Sequence, residues 1–318
     1  MNIAVALPLL LVCANALAQT PKFPDRPLRA IAGIAPGGGM DTISRALAQR
    51  LGEELGQPVV VDNRPGAGGN IAMEMAANAA PDGHNLLIIS ATSVIHPILY
   101  KARFDVLKDF QPVSQISAQG YIAVVHPGVP VRNIVEYVAH LKAYPGKLNY
   151  ASSGIGSPIH LTGELFTAMT GTRMTHVPYK GIGPAYADMI AGQIEASFPA
   201  IVSSQPLIRS GKLRGLAVTL PTRSPVMPEY PTMVEAGVKG VVVINWYGIL
   251  VPLSTPQAII DRLAQATAAA MHHPDVIKRL AADGSDPATS TPAQFRKHIA
   301  EERDKWTRVI RNAGIKAQ

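Results

Sequence analysis

Leu28-Arg29-Ala30-Ile31-Ala32-Gly33-Ile34-Ala35-Pro36-Gly37-Gly38-Gly39-Met40-Asp41 is the stretch on which the fold turns. Its apolar half, Leu28 to Ile34, reads as a buried strand. The Pro-Gly-Gly-Gly run cannot continue a strand, so it is a loop. From Asp41 to Leu55 the residues Ile43, Leu47, Leu51 and Leu55 recur at helical spacing, and Gly56 stops the helix. The pattern then repeats. Pro58 to Val61 is a second strand, Asn70 to Ala80 a second helix closed by Pro81-Asp82-Gly83, and Leu86 to Ile89 a third strand. A βαβαβ opening predicts a parallel sheet with helices on its faces.

Further along, Val113 to Ile116 and Tyr121 to Val125 read as short strands, and Pro127, Gly128 and Pro130 punctuate the chain. A second α/β series follows. Its helices are expected at Asn133–Ala143, Pro158–Thr170 and Pro184–Ala191. Its strands are expected at Leu148–Ala151, Met174–Val177, Ile194–Phe198 and Leu213–Thr219. Residues 221–231 hold four prolines and form an irregular loop. Val241 to Trp246 is a strand that runs on toward Val251. Thr255-Pro256 opens a helix to about His272, and Thr291-Pro292-Ala293-Gln294 is a capping-box start for a last helix to about Ala313. That helical end has no strand series and packs back on the first unit. The expected fold is therefore α/β, a two-lobed clamshell with a cleft between the lobes, the geometry of a binding protein that closes on a ligand. Each lobe is a mainly parallel sheet flanked by helices, with two hinge crossings near Ser117–His126 and Ile244–Val251. Residues 19–120 and 248–318 make the first lobe and 121–247 the second.

The chain has 318 residues, enough for two cores. Hydrophobic residues make up 47% and charged residues 16%, which excludes a disordered chain. Residues 1–18 carry no charged side chain, and Ile3 to Val12 is apolar but too short to span a membrane. Ala16-Leu17-Ala18 is a small-x-small cleavage site, so 1–18 reads as a signal peptide, although its start lacks Lys or Arg. The single cysteine, Cys13, falls within it. A cysteine-free mature chain suits an oxidising exported compartment, and disulfides and cysteine-based zinc sites are excluded.

Three loops share one design: Ala35 to Asp41, Asn63 to Asn70 and Ser152 to Ser157. Each sets glycines and small polar residues before a helix N-terminus, where unpaired N–H groups and the positive end of the helix dipole gather. Glycine lets a ligand approach the main chain, so such a loop is an anion site. In open α/β sheets it lies at the carboxyl ends of the strands, where ligands bind. The candidate ligand-binding residues are Ala35, Gly37 and Gly38 in the first loop and Gly68 and Asn70 in the second. Ser152, Ser153, Gly154 and Ser157 follow in the third. Ser90, Thr92 and Ser93, which end the third strand, add a hydroxyl cluster. His160 stands one turn past Ser157, and Tyr179, Ala200 and Trp246 stand at strand ends. Arg64 is assigned to bracing its loop.

Enzyme motifs fail. Gly37 and Gly39 are followed by Thr42, so the dinucleotide fingerprint is incomplete, though Asp62 sits where a ribose-binding acid would. That leaves an α/β enzyme acting on a nucleotide or acyl group as an alternative. There is no G-x-x-x-x-G-K and no G-x-S-x-G. No catalytic residue, metal site or cofactor is assigned. The formal net charge of +7 is not gathered into a basic stripe with interleaved aromatics, so nucleic acid is not an expected partner.

The same loops carry a resemblance. Pro36-Gly37-Gly38-Gly39-Met40-Asp41 is similar to the P-G-G-x-x-D loop of the Bug family, the periplasmic substrate-binding proteins of tripartite tricarboxylate transporters. The likeness extends through Val61 to Gly69, Ser153 to Leu161 and His176 to Gly181, and so runs in order along nearly the whole mature chain. Met40 departs from it, where Thr is common. The resemblance implies a monomeric two-lobed receptor in the periplasm of a Gram-negative bacterium. Its ligand is expected to be a small carboxylate, a dicarboxylate or aromatic acid, held through main-chain amides and bridging waters. Its expected partners are membrane transporter subunits. A solute sensor for a signalling membrane partner is the other role compatible with this reading.

Overall fold

The computed structural model describes residues 23–37, 39–66, 69–100, 102–282 and 285–316. The expected signal peptide lies outside them, as do Gly38 and Gly68. The opening strands and helices are β1 (Leu28–Ala32), α1 (Gly39–Leu55), β2 (Val59–Asn63), α2 (Asn70–Ala77) and β3 (Asn85–Ser90). The chain does not loop out after β3. It turns straight into α3 (Ala91–Leu99), which sequence reading misses because Pro97 lies inside it. β4 (Phe110–Gly120) follows as one long strand, not a short one, with a register shift where it carries Pro112, a residue with no N–H for the ladder.

The second series is β5 (Ile122–Val125), α4 (Ile134–Ala143), β6 (Asn149–Ser152), α5 (Pro158–Thr170), β7 (Thr175–Pro178), α6 (Ile182–Ile190) and β8 (Ala196–Ser197). α7 (Ile201–Arg209) and β9 (Arg214–Val218) complete it. β10 (Ile244–Pro252) then leads to α8 (Gln257–Met271), α9 (Pro274–Ala282), β11 (Asp286–Pro287) and α10 (Pro292–Asn312). α7 and α9 were not anticipated; α7 carries an internal Pro206. The α10 start was: Thr291 and Gln294 close a reciprocal capping box.

Two sheets result, in the orders β11-β4-β10-β3-β1-β2 and β7-β6-β8-β5-β9. The parallel cores expected from the βαβ pattern are β2-β1-β3 and β7-β6-β8, and antiparallel strands extend each. The chain crosses from the first sheet to the second at Tyr121 and returns before Ile244, which pairs with Gly120. The return therefore precedes the expected boundary at residue 248, because 244–247 are already hydrogen-bonded into the first sheet. Thr219 ties the crossings together: its Oγ1 accepts from the Tyr121 N–H at 3.1 Å and donates to the Val243 carbonyl at 2.6 Å. Gly120 is required there, since a Cβ would lie 2.5 Å from Leu220 Cγ. Helices cover both sheets, and the N-termini of α1, α2, α3 and α5 follow the carboxyl ends of β1, β2, β3 and β6.

Candidate ligand-binding cleft

In the first lobe, the loop before α1 is locked from within. The buried Asp41 carboxylate accepts from the Gly37 N–H at 2.9 Å, Arg45 Nε at 3.0 Å and Asn63 Nδ2 at 2.9 Å. Arg45 also reaches Asn63 Oδ1 at 2.9 Å. Burial alone would raise the Asp41 carboxyl, but the bonds from Arg45, Gly37 and Asn63 outweigh it and hold it below the usual 3.8. The Gly37 amide is thus occupied by protein, which corrects its expected role as a ligand donor. Ala35 is exposed and lines neither of the cavities described below. The loop before α2 rests on the same frame. Arg64 and Arg29 pair with Asp62, so that carboxylate serves the loop and not a ribose. A Cβ on Gly33 would come within 2.9 Å of Gly69 Cα, so glycine lets the two loops touch. Asn70 opens α2 with its Oδ1 buried and unpartnered. At the end of β3 the Ser90 N–H donates to Ser93 Oγ at 3.4 Å, and Thr92 stands exposed.

In the second lobe a different set of groups holds the loop before α5. Ser152 is buried; its Oγ accepts from the Gly154 N–H at 3.1 Å and lies 2.7 Å from His176 Nε2. The Gly156 N–H donates to His160 Nδ1 at 3.0 Å, which fixes His160 as the Nε2–H tautomer. Ser157 caps α5 by accepting from the His160 N–H at 3.2 Å. The two imidazoles stack with centroids 3.7 Å apart. Burial, aided by His176, lowers His160 to about 3, and burial lowers His176 to about 4, so both are neutral near pH 7. Ser152 and His160 therefore brace the loop from behind. The amides of Ser153 and Ile155 take no part in that network.

Two cavities meet at Thr92. One, of about 440 Å³, lies between the lobes. Thr92, Ile95, His96, Leu99 and Tyr100 of the α3 segment line one side, and Ser153 to Pro158 the other. Gly156 allows the approach: a Cβ there would sit 2.4 Å from Leu99 Cδ1. The other cavity, of about 170 Å³, lies inside the first lobe behind Ser90, Thr92 and Ser93. Among the described residues neither lining contains Lys, Arg, Asp or Glu. His96 is the one imidazole among them; burial keeps it below 6.5, and its Nδ1 is buried and unpartnered.

The structure thus brings Thr92, Ser153, Gly154 and Ser157 together, with Ser90 and Ser93 at the inner cavity. Other candidates line neither cavity. The Tyr179 hydroxyl donates to Asp188 at 2.6 Å and is pushed up to about 12 by burial and that carboxylate. The Ala200 carbonyl accepts from Ser203 and Ser204 at the start of α7. Trp246 is a correction. β10 is paired on both edges and covered by α10, so the indole is fully buried, edge-on to Phe295 and donating to Glu302. His96 and Leu99 were missed with α3. Their signal was the apolar spacing Val94, Ile95, Ile98, Leu99 around Pro97.

Two α/β lobes, paired crossings and helix N-termini set about an uncharged cleft define a solute-binding protein of the periplasmic-binding type. The chain belongs to the tripartite tricarboxylate transporter family receptors: residues 43–315 match the TctC family model. It is 36% identical over 297 residues to "Protein BugT" of Bordetella pertussis, covering 92% of this chain and 91% of that protein. Among solved structures it is similar to R. palustris Rpa4515 with adipate, at 32% identity and TM-score 0.77, covering 92% of this chain and 99% of that one. It is also similar to MatC (Rpa3494) from Rhodopseudomonas palustris with bound malate, at 30% identity and TM-score 0.72, covering 91% and 100%. The matched family is one of transporter receptors, and two further similar structures, of the periplasmic binding protein BugD (30% identity, TM-score 0.74) and of a TctC solute binding protein from Polaromonas (25%, 0.84), are likewise binding proteins and not enzymes. No helix among the described residues is long and apolar enough to cross a membrane.

Proposed function

We propose that the protein is a periplasmic receptor that captures a small carboxylate between its lobes for the membrane subunits of a tripartite tricarboxylate transporter. The observation that carries this is the uncharged cleft between the α3 and α5 N-terminal segments, which draws donors from both lobes. With no basic side chain among the described lining residues, a carboxylate is held by main-chain amides and hydroxyls in the field of the helix N-termini. Each such charge-assisted bond contributes about 1.5–3 kcal/mol, and the helix dipole adds up to about 1 kcal/mol per terminus. Closure adds the second lobe's donors, so binding favours the closed form. The adipate and malate named for the two R. palustris structures agree with this chemistry.

Thermal denaturation with mono- and dicarboxylates, aromatic acids, the matching amides and nucleotides tests it. A ligand present at about 100 times its Kd stabilises by about 2.7 kcal/mol, a rise of several degrees. Acids that raise the melting temperature while their amides do not support the reading. A nucleotide that raises it where no acid does would overturn it.

A further inference from the structure

We propose that the cavity inside the first lobe is an apolar subsite, and that the ligand is a carboxylic acid with an apolar body the size of one ring or a branched alkyl group. This rests on the carboxylate reading and goes beyond it by naming what the carboxylate is attached to.

The walls carry the argument. Ile34, Met40, Ala72, Met73 and Leu87 surround about 170 Å³, and the polar side chains are confined to Ser90, Thr92 and Ser93. Apolar cavities of roughly 150 Å³ stay dry and take up benzene, so this volume holds one six-membered ring. A second carboxylate pushed past the rim hydroxyls, against Ile34, Met40, Met73 and Leu87, would face apolar side chains that cannot replace its hydration. Met40 and Met73 are both buried. Unbranched and polarizable, they adapt to the edge of a ring. The rim supplies the complement. Thr92 borders both cavities, so a body seated within the lobe leaves its carboxylate at the α3 N-terminus, facing the Ser153–Ser157 loop. A short dicarboxylate can bridge the same rim only by leaving the inner volume unfilled, and empty apolar volume is unfavourable.

Isothermal titration of the full chain decides it, with benzoate and cyclohexanecarboxylate set against succinate, malate and adipate. The ring acids are expected to bind at least about tenfold more tightly, the scale of discrimination a hydrophobic pocket achieves. Met40→Asn is expected to weaken the ring acids about tenfold and the short diacids less than about threefold, while Met40→Leu keeps both within about threefold. Diacids that bind as tightly as ring acids, or equal losses for both classes in Met40→Asn, overturn the subsite and leave the carboxylate reading standing. If no acid of either class binds, the carboxylate reading falls and the subsite with it. Should Met40→Asn not fold, the comparison in the unaltered protein is sufficient by itself.

Discussion

The loop that opens α1 is held by an ionised carboxylate, and the loop that opens α5 by two neutral imidazoles. Both loops place glycines before a helix N-terminus, and both spend an amide on their own brace: Gly37 on Asp41, Gly156 on His160. Yet one brace joins Asp41 to Arg45, which is half exposed, and the other buries His160 against His176. What the two lobes share is thus the placement of the loop, not the chemistry that braces it. A loop of this design needs an acceptor beneath it to hold one amide in place so that its neighbours stay free for a ligand. Any acceptor serves, and the choice sets how each lobe responds to acid, salt and mutation.

The sharpest way to break the symmetry is at the point where the loops meet. Gly156 has φ +74°, and a Cβ there would meet Leu99 Cδ1 at 2.4 Å, across the lobes. Gly154 has φ +134° and a roomier setting, with only the Tyr179 carbonyl at 3.5 Å. A β-branched residue at such φ costs roughly 1–3 kcal/mol of strain at either position. Only at Gly156 is an obstruction to closure added. We expect Gly156→Val to weaken ligand binding about 100-fold, equivalent to about 2.7 kcal/mol, and Gly154→Val to weaken it about tenfold. Trimming Leu99 to Ala should recover part of the loss in Gly156→Val and none in Gly154→Val. Titration calorimetry on the four variants would show whether closure or loop shape limits binding. Equal recovery in both would mean that Leu99 does not set the approach.

A smaller effect separates the braces themselves. Asp41→Asn keeps the shape but removes the charge that Arg45, Asn63 and the Gly37 amide all face. Losing a charge-assisted network of this kind costs about 1.5–3 kcal/mol, less for the half-exposed Arg45 than for the part-buried bonds from Gly37 and Asn63. Urea unfolding should therefore show about 2 kcal/mol lost. The affinity for ligand should fall less than in Gly156→Val, because Gly37 lines neither cavity. Raising the salt concentration should reproduce a fraction of this loss and have no counterpart for the second lobe, whose brace is uncharged.

Much of this frame was legible in the order of residues, for a local reason. Helix period, capping pairs and glycine stops are short-range signals, and α5 runs from Pro158 to Thr170 as its spacing predicts. α3 was not legible, since Ser90, Thr92 and Ser93 read equally well as a hydroxyl loop and Pro97 as a break. At the site, the loops could be found but not the fate of their amides, because Asp41 and His160 become acceptors only through tertiary placement. Trp246 shows the same limit. An aromatic residue at a strand end looks accessible until β3 and β4 are known to flank β10 and α10 to cover it. Met40 carried a faint signal as the departure from Thr, and the structure places it in the lining of the inner cavity.

The subtlest contrast between the lobes is their response to pH. The Asp41 carboxyl lies below 3.8 in the folded chain, so its contribution is present above that value and is lost only as the pH falls further. His160 and His176 lie at about 3 and about 4 against an ordinary 6.5. The unfolded chain therefore takes up protons first, and the folded form loses relative stability as the pH falls from 6.5 toward 4. Protonating His160 at Nδ1 also removes the acceptor for the Gly156 N–H. Between pH 6.5 and 4 both imidazoles stay neutral in the folded chain, so its brace and its ligand affinity should hold while stability declines, and the melting temperature should fall by a few degrees for each kcal/mol lost; the brace itself opens only as the pH drops below about 4. His160→Asn tests the cause, because an Asn Oδ1 can accept from the same amide yet does not titrate. In that variant the decline between pH 6.5 and 4 should be reduced, with affinity at pH 7.5 within about threefold of the unaltered chain. If the variant keeps the full pH dependence, the stacked imidazoles are not the acid-sensitive brace, and the two lobes respond to protons alike.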